Sequence, residues 1–376
     1  MIFKTLGNTG VKIPAIAQGT TGIGNYANFD PDLVSKRIDV LKYGIDLGIN
    51  FIDTAELYGG GFVEETLGKV LNGMRDKIFL ASKFNPKEDV SESIPASLEN
   101  SLKRLRTDHL DLYQIHWPNP SVPIDKIMQA LSKIVEQGKT RFVGASNFCV
   151  EDFKAAQSFF GDKIVSNQLE YNLLDRSVED DFLPYCADNR ISLLAYSPLN
   201  HGKVHYDDEQ KAILSAIAHK YNKTISQIVL RWLIGRTPVV VVTKTRSMEH
   251  TKENALSADF DLREEDVSVI DGLSKQHVVR VLTSSINLSV SDKKPVYGTL
   301  EEAMENRLDL IPSPVNLAKN VSENKNIKPI RLKPSKDTSG KYSYDIDDYD
   351  IMDEVKKYWA WVIAYGWDRP IPAFVL

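Results

Sequence analysis

Short apolar segments alternate with longer segments of helical periodicity through most of this chain, and few folds accommodate that order. The helical segments, such as LVSKRIDVLKYGIDLG, IDKIMQALSKIVEQG and the longer EQKAILSAIAHKYNKTISQIVLRWLIG, carry apolar residues three or four positions apart. Eight such βα units predict a parallel (β/α)8 TIM barrel of the α/β class, and a doubly wound open sheet is the alternative topology. The strand-like segments are AIAQGT, NFIDTA, IFLASKF, LDLYQIHW, RFVGASNF, IVSNQLEY, ISLLAYSP and VVVVTKT.

A hairpin precedes the first of these strands. The segment IFKTLGNTGVKIP places Asn8, Thr9 and Gly10 between two short apolar runs, a pattern typical of a tight turn between antiparallel strands. We therefore expect an N-terminal β-hairpin outside the eight repeating units.

Composition and charge favour a globular protein in the cytoplasm. Hydrophobic residues make up 42% of the 376 residues, and the net charge is -5. This charge gives no general field for nucleic acid or an anionic membrane, so we expect neither partner. The chain has only two cysteines, and its first residues lack the basic segment followed by a long apolar run that is typical of a secretion signal. Both features predict a cytoplasmic location.

Polar side chains follow the strands at the end where barrel enzymes place their active sites. Asp53 ends the second strand, Tyr58 lies in its loop, Lys83 ends the third strand and His116 ends the fourth. Each has an ordinary structural interpretation taken singly: a helix cap, loop packing, a surface cation or a rim histidine. Their appearance together at one end of one barrel favours a catalytic site, because burying four unpartnered polar groups would cost about 1–3 kcal/mol each.

These four residues suit the reduction of a carbonyl group. A phenol has a pKa near ~10, and a cation beside Tyr58 would stabilise the phenolate that proton donation leaves behind. Lys83 supplies that cation, Asp53 holds it, and His116 can orient the carbonyl oxygen. We predict no metal site, and we find no serine or cysteine nucleophile paired with a base.

A reduction also requires a hydride donor, which no side chain supplies, so a nicotinamide cofactor is predicted. No GxGxxG motif follows the first strand. Ser146, Asn147 and Gln168 offer donors and acceptors for a carboxamide, and Tyr196 could stack on a flat ring. The segment from residue 241 to 254 runs from a strand into a helix start through cationic and hydroxyl side chains, which favours phosphate binding.

The segments FIDTAELYGGG, ASKF, QIHWP, GASNF, QLEYN, AYSPL and KT…EN resemble the aldo-keto reductases in order and spacing over residues 1 to 280. The resemblance implies that Tyr58 donates the proton and that Asp53, Lys83 and His116 complete the catalytic set. It implies an NADP-dependent oxidoreductase. The implied cofactor-binding residues are Gly19, Thr20, Ser146, Asn147, Gln168, Tyr196, Ser197, Leu199, Lys244, Thr245, Arg246, His250, Glu253 and Asn254.

The predicted phosphate site departs from the family at one position. His250 stands where the family usually has an arginine that grips the 2′-phosphate of NADPH, six residues after the lysine. A neutral imidazole is a weaker phosphate partner than a guanidinium group. Lys244 and Arg246 could compensate, so NADPH is the first expectation and NADH stays open. Tyr26 and Trp117 are candidates for the wall of the substrate pocket.

About a hundred residues follow the predicted barrel. We predict a barrel domain over 1–280, a linker over 281–298 and a small α+β domain over 299–376. The order of helices and strands in this last segment resembles the ParB-like or sulfiredoxin-like fold. The acidic run DIDDYDIMDE stands where that fold has its nucleotide motif, which argues against a nucleotide or DNA role. The domain is therefore predicted to bind a protein partner or mediate self-association.

Two classes of function remain at this point. The first is an NAD(P)H-dependent oxidoreductase that reduces the carbonyl group of a small aldehyde, ketone or sugar, or catalyses the reverse oxidation of an alcohol, with Tyr58 as general acid or base. The second is a regulatory protein that binds a nicotinamide nucleotide on a reductase fold without turning over a substrate. The complete set of four polar residues favours the first class, because a nucleotide sensor does not need all four.

Overall fold

The computed structural model describes residues 1–24, 26–27, 30–87, 89–119, 121–200, 206 and 208–273, together with residues 304–305 and a few short strands near the C-terminus. The chain forms two compact units, and each is described by itself.

The predicted hairpin is present and closes one end of the first unit. Strand β1 (Phe3–Thr5) pairs with β2 (Lys12–Pro14) in antiparallel register. Leu6 and Ile13 of this hairpin are fully buried in one apolar cluster with Phe51, Leu112 and Val240. Burying such side chains stabilises the fold by about 1.5–3 kcal/mol each.

Eight parallel strands form a closed barrel behind the hairpin, as predicted, and the open-sheet alternative is wrong. The strands are β3 (Ile16–Gly19), β4 (Phe51–Asp53), β5 (Phe79–Phe84), β6 (Leu110–Ile115), β7 (Thr140–Ser146), β8 (Ile164–Glu170), β9 (Ser192–Tyr196) and β10 (Val239–Thr243). The first and last of them, β3 and β10, pair with each other and so close the sheet. Because the strands are parallel, their C-terminal ends meet at one mouth of the barrel.

Helices surround this barrel, and a large apolar cluster packs between the helices and the strands. The helices are α1 (Pro31–Asp46), α2 (Phe62–Val70), α3 (Val90–Leu105), α4 (Ile124–Glu136), α5 (Val150–Phe160), α6 (Phe182–Asn189), α7 (Asp208–Tyr221), α8 (Ile225–Gly235), α9 (Met248–Leu256) and α10 (Glu264–Gly272).

One helical segment differs from the prediction. The segment EQKAILSAIAHKYNKTISQIVLRWLIG, predicted as one helical stretch, forms the two helices α7 and α8. Asn222 adopts a left-handed backbone with φ of 51°, just after the end of α7. Thr224 then caps α8 in a reciprocal pair of hydrogen bonds with Gln227.

The described residues of the second unit form a five-stranded mixed sheet. Its strands are β11 (Val278–Val281), β12 (Ile286–Asn287), β13 (Ile330–Pro334), β14 (Tyr349–Ile351) and β15 (Ile371–Val375). They lie in the order β11-β15-β13-β14-β12. Three of these strands, β13, β14 and β15, lie within the predicted domain, whereas most of its other residues lie outside the described part of the chain, and the domain boundaries stay a prediction. In the described part of the chain, no helix is long and apolar enough to span a membrane.

Candidate active site

A buried ion pair lies at the open mouth of the barrel. Lys83 of β5 donates from Nζ to Asp53 Oδ1 of β4 at 2.5 Å, and both side chains are at most 2% exposed. The same Nζ donates to the carbonyl oxygen of Thr54 at 2.9 Å and lies 3.4 Å from the hydroxyl oxygen of Tyr58. The lysine is therefore placed where its charge acts directly on the phenol.

Two amide side chains fix the other carboxylate oxygen of Asp53. Gln168 of β8 donates from Nε2 to Asp53 Oδ2 at 2.9 Å, and Gln114 of β6 donates to the same atom at 3.3 Å. Gln168 is a predicted nicotinamide contact, and in this structure its amide nitrogen binds the aspartate. Sequence reasoning missed Gln114. The alternation of side chains along a strand could have found it, because it lies two residues before His116 and therefore points the same way.

The loop that carries Tyr58 depends on three consecutive glycines. Gly59, Gly60 and Gly61 all have a left-handed backbone, with φ values of 60°, 65° and 96°, a conformation that residues with a Cβ rarely adopt. A Cβ on Gly61 would lie 2.9 Å from Cδ of Arg104. Arg104 itself donates from Nε to the fully buried Glu64 at 2.8 Å, so an internal ion pair supports the turn.

The structure changes one prediction about Tyr58. The sequence predicts that the Lys83 charge makes the phenol more acidic. Burial instead raises the pKa of Tyr58 above its usual value, and the Lys83 charge with its hydrogen bond offsets only part of that effect. The hydroxyl therefore stays protonated at neutral pH, which is the state that a proton donor requires.

His116 faces the tyrosine in its neutral form. Burial, with a smaller contribution from the Lys83 charge, lowers the pKa of His116 to about 3. The ring packs edge to face with the Tyr58 ring, with 5.8 Å between the centroids. Its Nδ1 atom is buried and has no hydrogen-bond partner among the described residues. A neutral imidazole can donate from one ring nitrogen to a bound oxygen without adding charge.

The pKa of His116 predicts an acid-dependent loss of stability. Between pH 6.5 and about 3 the unfolded chain binds a proton at this site and the folded chain does not. The free energy of unfolding should therefore fall by about 1.4 kcal/mol per pH unit below pH 6.5, from this group alone. Urea denaturation of wild type and His116→Gln from pH 7 to 4 should show a shallower slope for the variant. His219→Gln, which changes an exposed histidine, should keep the wild-type slope.

Three of the predicted nicotinamide contacts lie together at the ends of β7 and β9. Tyr196 donates from its hydroxyl to Asn147 Oδ1 at 3.1 Å, and Asn147 donates from Nδ2 to Ser146 Oγ at 3.0 Å. Asn147 also donates to the carbonyl oxygen of His116 at 3.1 Å, which links this group to the predicted catalytic residues. The backbone of Asn147 is left-handed, with φ of 62°, a conformation that asparagine tolerates better than most residues.

The segment between β10 and α9 presents polar groups at a helix start. Ser247 caps α9 by accepting from the backbone N–H of His250 at 3.2 Å. The hydroxyls of Thr245 and Thr251 lie 2.6 Å apart. Lys244, Arg246 and His250 are exposed. The predicted phosphate-binding side chains thus surround the first turn of α9.

One predicted cofactor-binding residue, Glu253, already accepts a hydrogen bond from another side chain of the protein. The carboxylate of Glu253 accepts from the hydroxyl of Thr224, the residue that caps α8. Asn254, the next residue of α9, is buried. The two residues therefore differ in their surroundings: Glu253 is hydrogen-bonded to the cap of α8, and Asn254 is buried.

The remaining predicted residues lie around the same mouth. Thr20 is fully buried and donates from its hydroxyl to the carbonyl oxygen of Asp53 at 3.0 Å, beside Gly19 at the end of β3. Tyr26 is 53% exposed, and its ring packs edge to face against Phe62. The others are partly buried and follow β6 or β9: Trp117, Ser197 and Leu199.

The donor set fits a phosphorylated nicotinamide cofactor better than a metal ion. A cleft at this end of the barrel is lined by Lys244, Thr245, Arg246 and Asn254. Cations and hydroxyls of this kind suit phosphate. Within the described ranges, no group of three or more histidine, cysteine, aspartate or glutamate side chains is placed to hold a metal ion.

Comparison with known proteins decides the family. The model of the Aldo/keto reductase family matches residues 15–275. The chain belongs to this family. Methylglyoxal reductase YeaE of Escherichia coli is 34% identical over 263 residues, which cover 69% of this chain and 91% of that protein.

Solved structures of the same family share the fold. The thermostable aldo-keto reductase Tm1743, solved with the inhibitor epalrestat, has a TM-score of 0.70 and 39% identity, covering 73% of this chain and 100% of that one. An aldo/keto reductase from Klebsiella pneumoniae, solved with NADP and acetate, has a TM-score of 0.67 and 32% identity, covering 72% of this chain and 94% of its own. The predicted family and the predicted barrel are thus confirmed.

Proposed function

We propose that this protein reduces the carbonyl group of a small aldehyde, ketone or sugar to an alcohol, with Tyr58 as the proton donor. One observation carries the proposal: a buried lysine, held by Asp53, lies 3.4 Å from the Tyr58 hydroxyl at the open end of the barrel. A phenol beside a fixed cation can lose its proton at the moment when negative charge develops on a neighbouring oxygen.

The cofactor is NADP(H), as in the Klebsiella pneumoniae relative. When bound, it supplies the hydride that the carbonyl carbon receives. Ser146, Asn147 and Tyr196 would hold the nicotinamide end, since their polar atoms form one connected group next to His116. Lys244 and Arg246 would hold the phosphate end in the cleft beside β10.

Tyr58 passes its proton to the carbonyl oxygen. That oxygen gains electron density as the carbonyl is reduced, and an O–H bond forms while the phenol O–H bond breaks. Lys83 stabilises the resulting phenolate through its charge and hydrogen bond, and Asp53 keeps the lysine charged and in place. Burial opposes ionisation of Tyr58 in the resting site, so the proton leaves only when an acceptor is present.

His116 positions the carbonyl group. Its neutral ring lies edge to face with Tyr58, so a donor nitrogen and the phenol hydroxyl can converge on the same oxygen. Because the imidazole is uncharged at neutral pH, it directs the oxygen without competing with Tyr58 as the acid. Trp117 and Tyr26 are proposed as walls of the substrate pocket.

A panel of carbonyl compounds tests the proposal. The Escherichia coli relative is named a methylglyoxal reductase, so the panel should begin with 2-oxoaldehydes and continue with simple aldehydes, ketones and aldose sugars. Oxidation of NADPH, followed by its absorbance, should depend on both protein and carbonyl. Tight binding of NADPH without turnover of any carbonyl would instead support the alternative, a regulatory nucleotide-binding protein.

We also propose that the C-terminal residues form a separate small α+β domain over 299–376 that binds a protein partner or a second copy of the chain. The support is the described five-stranded sheet, of which the strands β13, β14 and β15 lie within 299–376. The resemblance to the ParB-like fold and the cytoplasmic location stay predictions. Sedimentation of the full chain, compared with a chain ending at residue 274 where the first unit ends, tests self-association.

A further inference from the structure

A cleft lies between α1 and the segment that follows β10. Its lining includes Arg37 of α1, Lys244 and Arg246 after β10, and Asn254 of α9. Arg37 is far from the other three in sequence, and it reaches them because α1 packs against α9. Among the described residues that line the cleft, none is acidic, so three cations share one cavity without a carboxylate.

These cations lack a counter-ion within the part of the chain that the structure describes. None of the three forms an ion pair there, and Arg37 Nε is buried without a hydrogen-bond acceptor. Burial and the charge of Arg246 lower the pKa of Arg37, and burial with the charges of Arg246 and Arg37 lowers the pKa of Lys244. A buried donor without an acceptor and unbalanced like charges both destabilise a fold, and a bound anion would relieve both.

We propose that Arg37 binds the 2′-phosphate of NADP(H) and takes the place of the arginine that the family has at position 250. The inference rests on the proposed function, because it concerns the same cofactor. His250 is exposed and is not among the lining residues of the cleft, whereas Arg37 of α1 is one of them. A planar guanidinium group can give two parallel hydrogen bonds to a phosphate dianion, which an imidazole cannot.

Binding of NADP⁺ and NAD⁺ to the full-length Arg37→Gln variant tests the assignment without any turnover. Titration followed by tryptophan fluorescence or calorimetry should give a Kd for NADP⁺ at least about tenfold weaker than wild type, equivalent to about 1.4 kcal/mol. The Kd for NAD⁺, which lacks the 2′-phosphate, should stay within about twofold, and this also shows that the variant is folded. The assignment is overturned if the Kd values for both cofactors rise equally, or if the Kd for NADP⁺ does not rise.

Two further variants and one further pair of ligands sharpen the result. Arg37→Lys should recover part of the lost affinity, and Lys36→Gln, which removes an exposed charge on the same helix, should leave both Kd values unchanged. Adenosine 2′-monophosphate should bind wild type more tightly than adenosine 5′-monophosphate, and the difference should become smaller in Arg37→Gln, in which Lys244 and Arg246 remain. If inorganic phosphate alone competes as well as the 2′-monophosphate, the cleft is a general phosphate site and the assignment fails.

Failure of the inference and failure of the proposed function give different results. Should wild type bind NADP⁺ and reduce carbonyls while Arg37→Gln binds NADP⁺ equally well, only the role of Arg37 is lost. Should wild type bind no nicotinamide nucleotide, the proposed function is wrong and the role of Arg37 falls with it.

Discussion

The Tyr58→Phe variant is expected to lose about 10³-fold in kcat for carbonyl reduction, because the proposed proton donor is gone and the neighbouring His116 ring is already neutral. The phenol is held 3.4 Å from Lys83 Nζ by a turn whose glycines are independent of the hydroxyl, so the loop should keep its shape. The Kd for NADPH should stay within about twofold of wild type. Stopped-flow or steady-state kinetics with the best carbonyl substrate, alongside cofactor titration, would measure both quantities.

Tyr113→Phe is the matched control for this experiment. It removes a buried phenol hydroxyl that has no hydrogen-bond partner among the described residues, in a ring stacked on Phe84 within the same barrel. Its kcat should remain within about twofold of wild type. A Tyr58→Phe enzyme with near-normal kcat would refute the role assigned to the tyrosine, and one that no longer binds NADPH would assign Tyr58 to the cofactor site instead.

The Asp53→Asn variant should lose about 3–5 kcal/mol in the free energy of unfolding at neutral pH, since it leaves the Lys83 ammonium buried without its counter-ion. Both side chains are at most 2% exposed, so water cannot solvate the remaining charge. Urea denaturation followed by circular dichroism gives the measurement. Asp261→Asn, which breaks an ion pair between Arg231 and a carboxylate that is 90% exposed, should cost less than about 1 kcal/mol.

The pH dependence of Asp53→Asn separates the buried charge from a simple packing defect. In wild type, burial lowers the pKa of Lys83, but Asp53 and Tyr58 outweigh it and the net pKa is raised, so the pair contributes stability below pH 10.5 and loses it only above. Without Asp53, burial should bring the folded pKa below that of the unfolded chain. The stability of the variant should then rise between neutral pH and about 10, whereas a constant deficit would point to packing alone.

The barrel was predictable because each strand is a short apolar run and each helix has apolar residues three or four positions apart, and both signals are local. The break between α7 and α8 could not be predicted from such signals. Apolar spacing continues across Asn222, and only the left-handed backbone there, followed by the Thr224 cap, separates the two helices. The helical signal of the flanking residues concealed a turn set by two polar side chains.

Positions in the site were easier to predict than the contacts that its side chains make. The ends of β4, β5 and β6 fixed where Asp53, Lys83 and His116 lie. The sign of the Tyr58 pKa shift depends on how deeply the phenol is buried, which the sequence does not state. Arg37 was missed because it occupies an ordinary helical position, and its placement depends on the packing of α1 beside the segment after β10.

The N-terminal hairpin limits the entry of substrate and the exit of water to one end of the barrel. Leu6 and Ile13 fill the end of the barrel away from Lys83, so water displaced from the predicted catalytic site must leave past the loops that follow the strands. Substrate and displaced water then use the same opening. Tyr26 follows β3 and Trp117 follows β6 at this end, so the proposed walls of the substrate pocket lie along the route that both substrate and product would take.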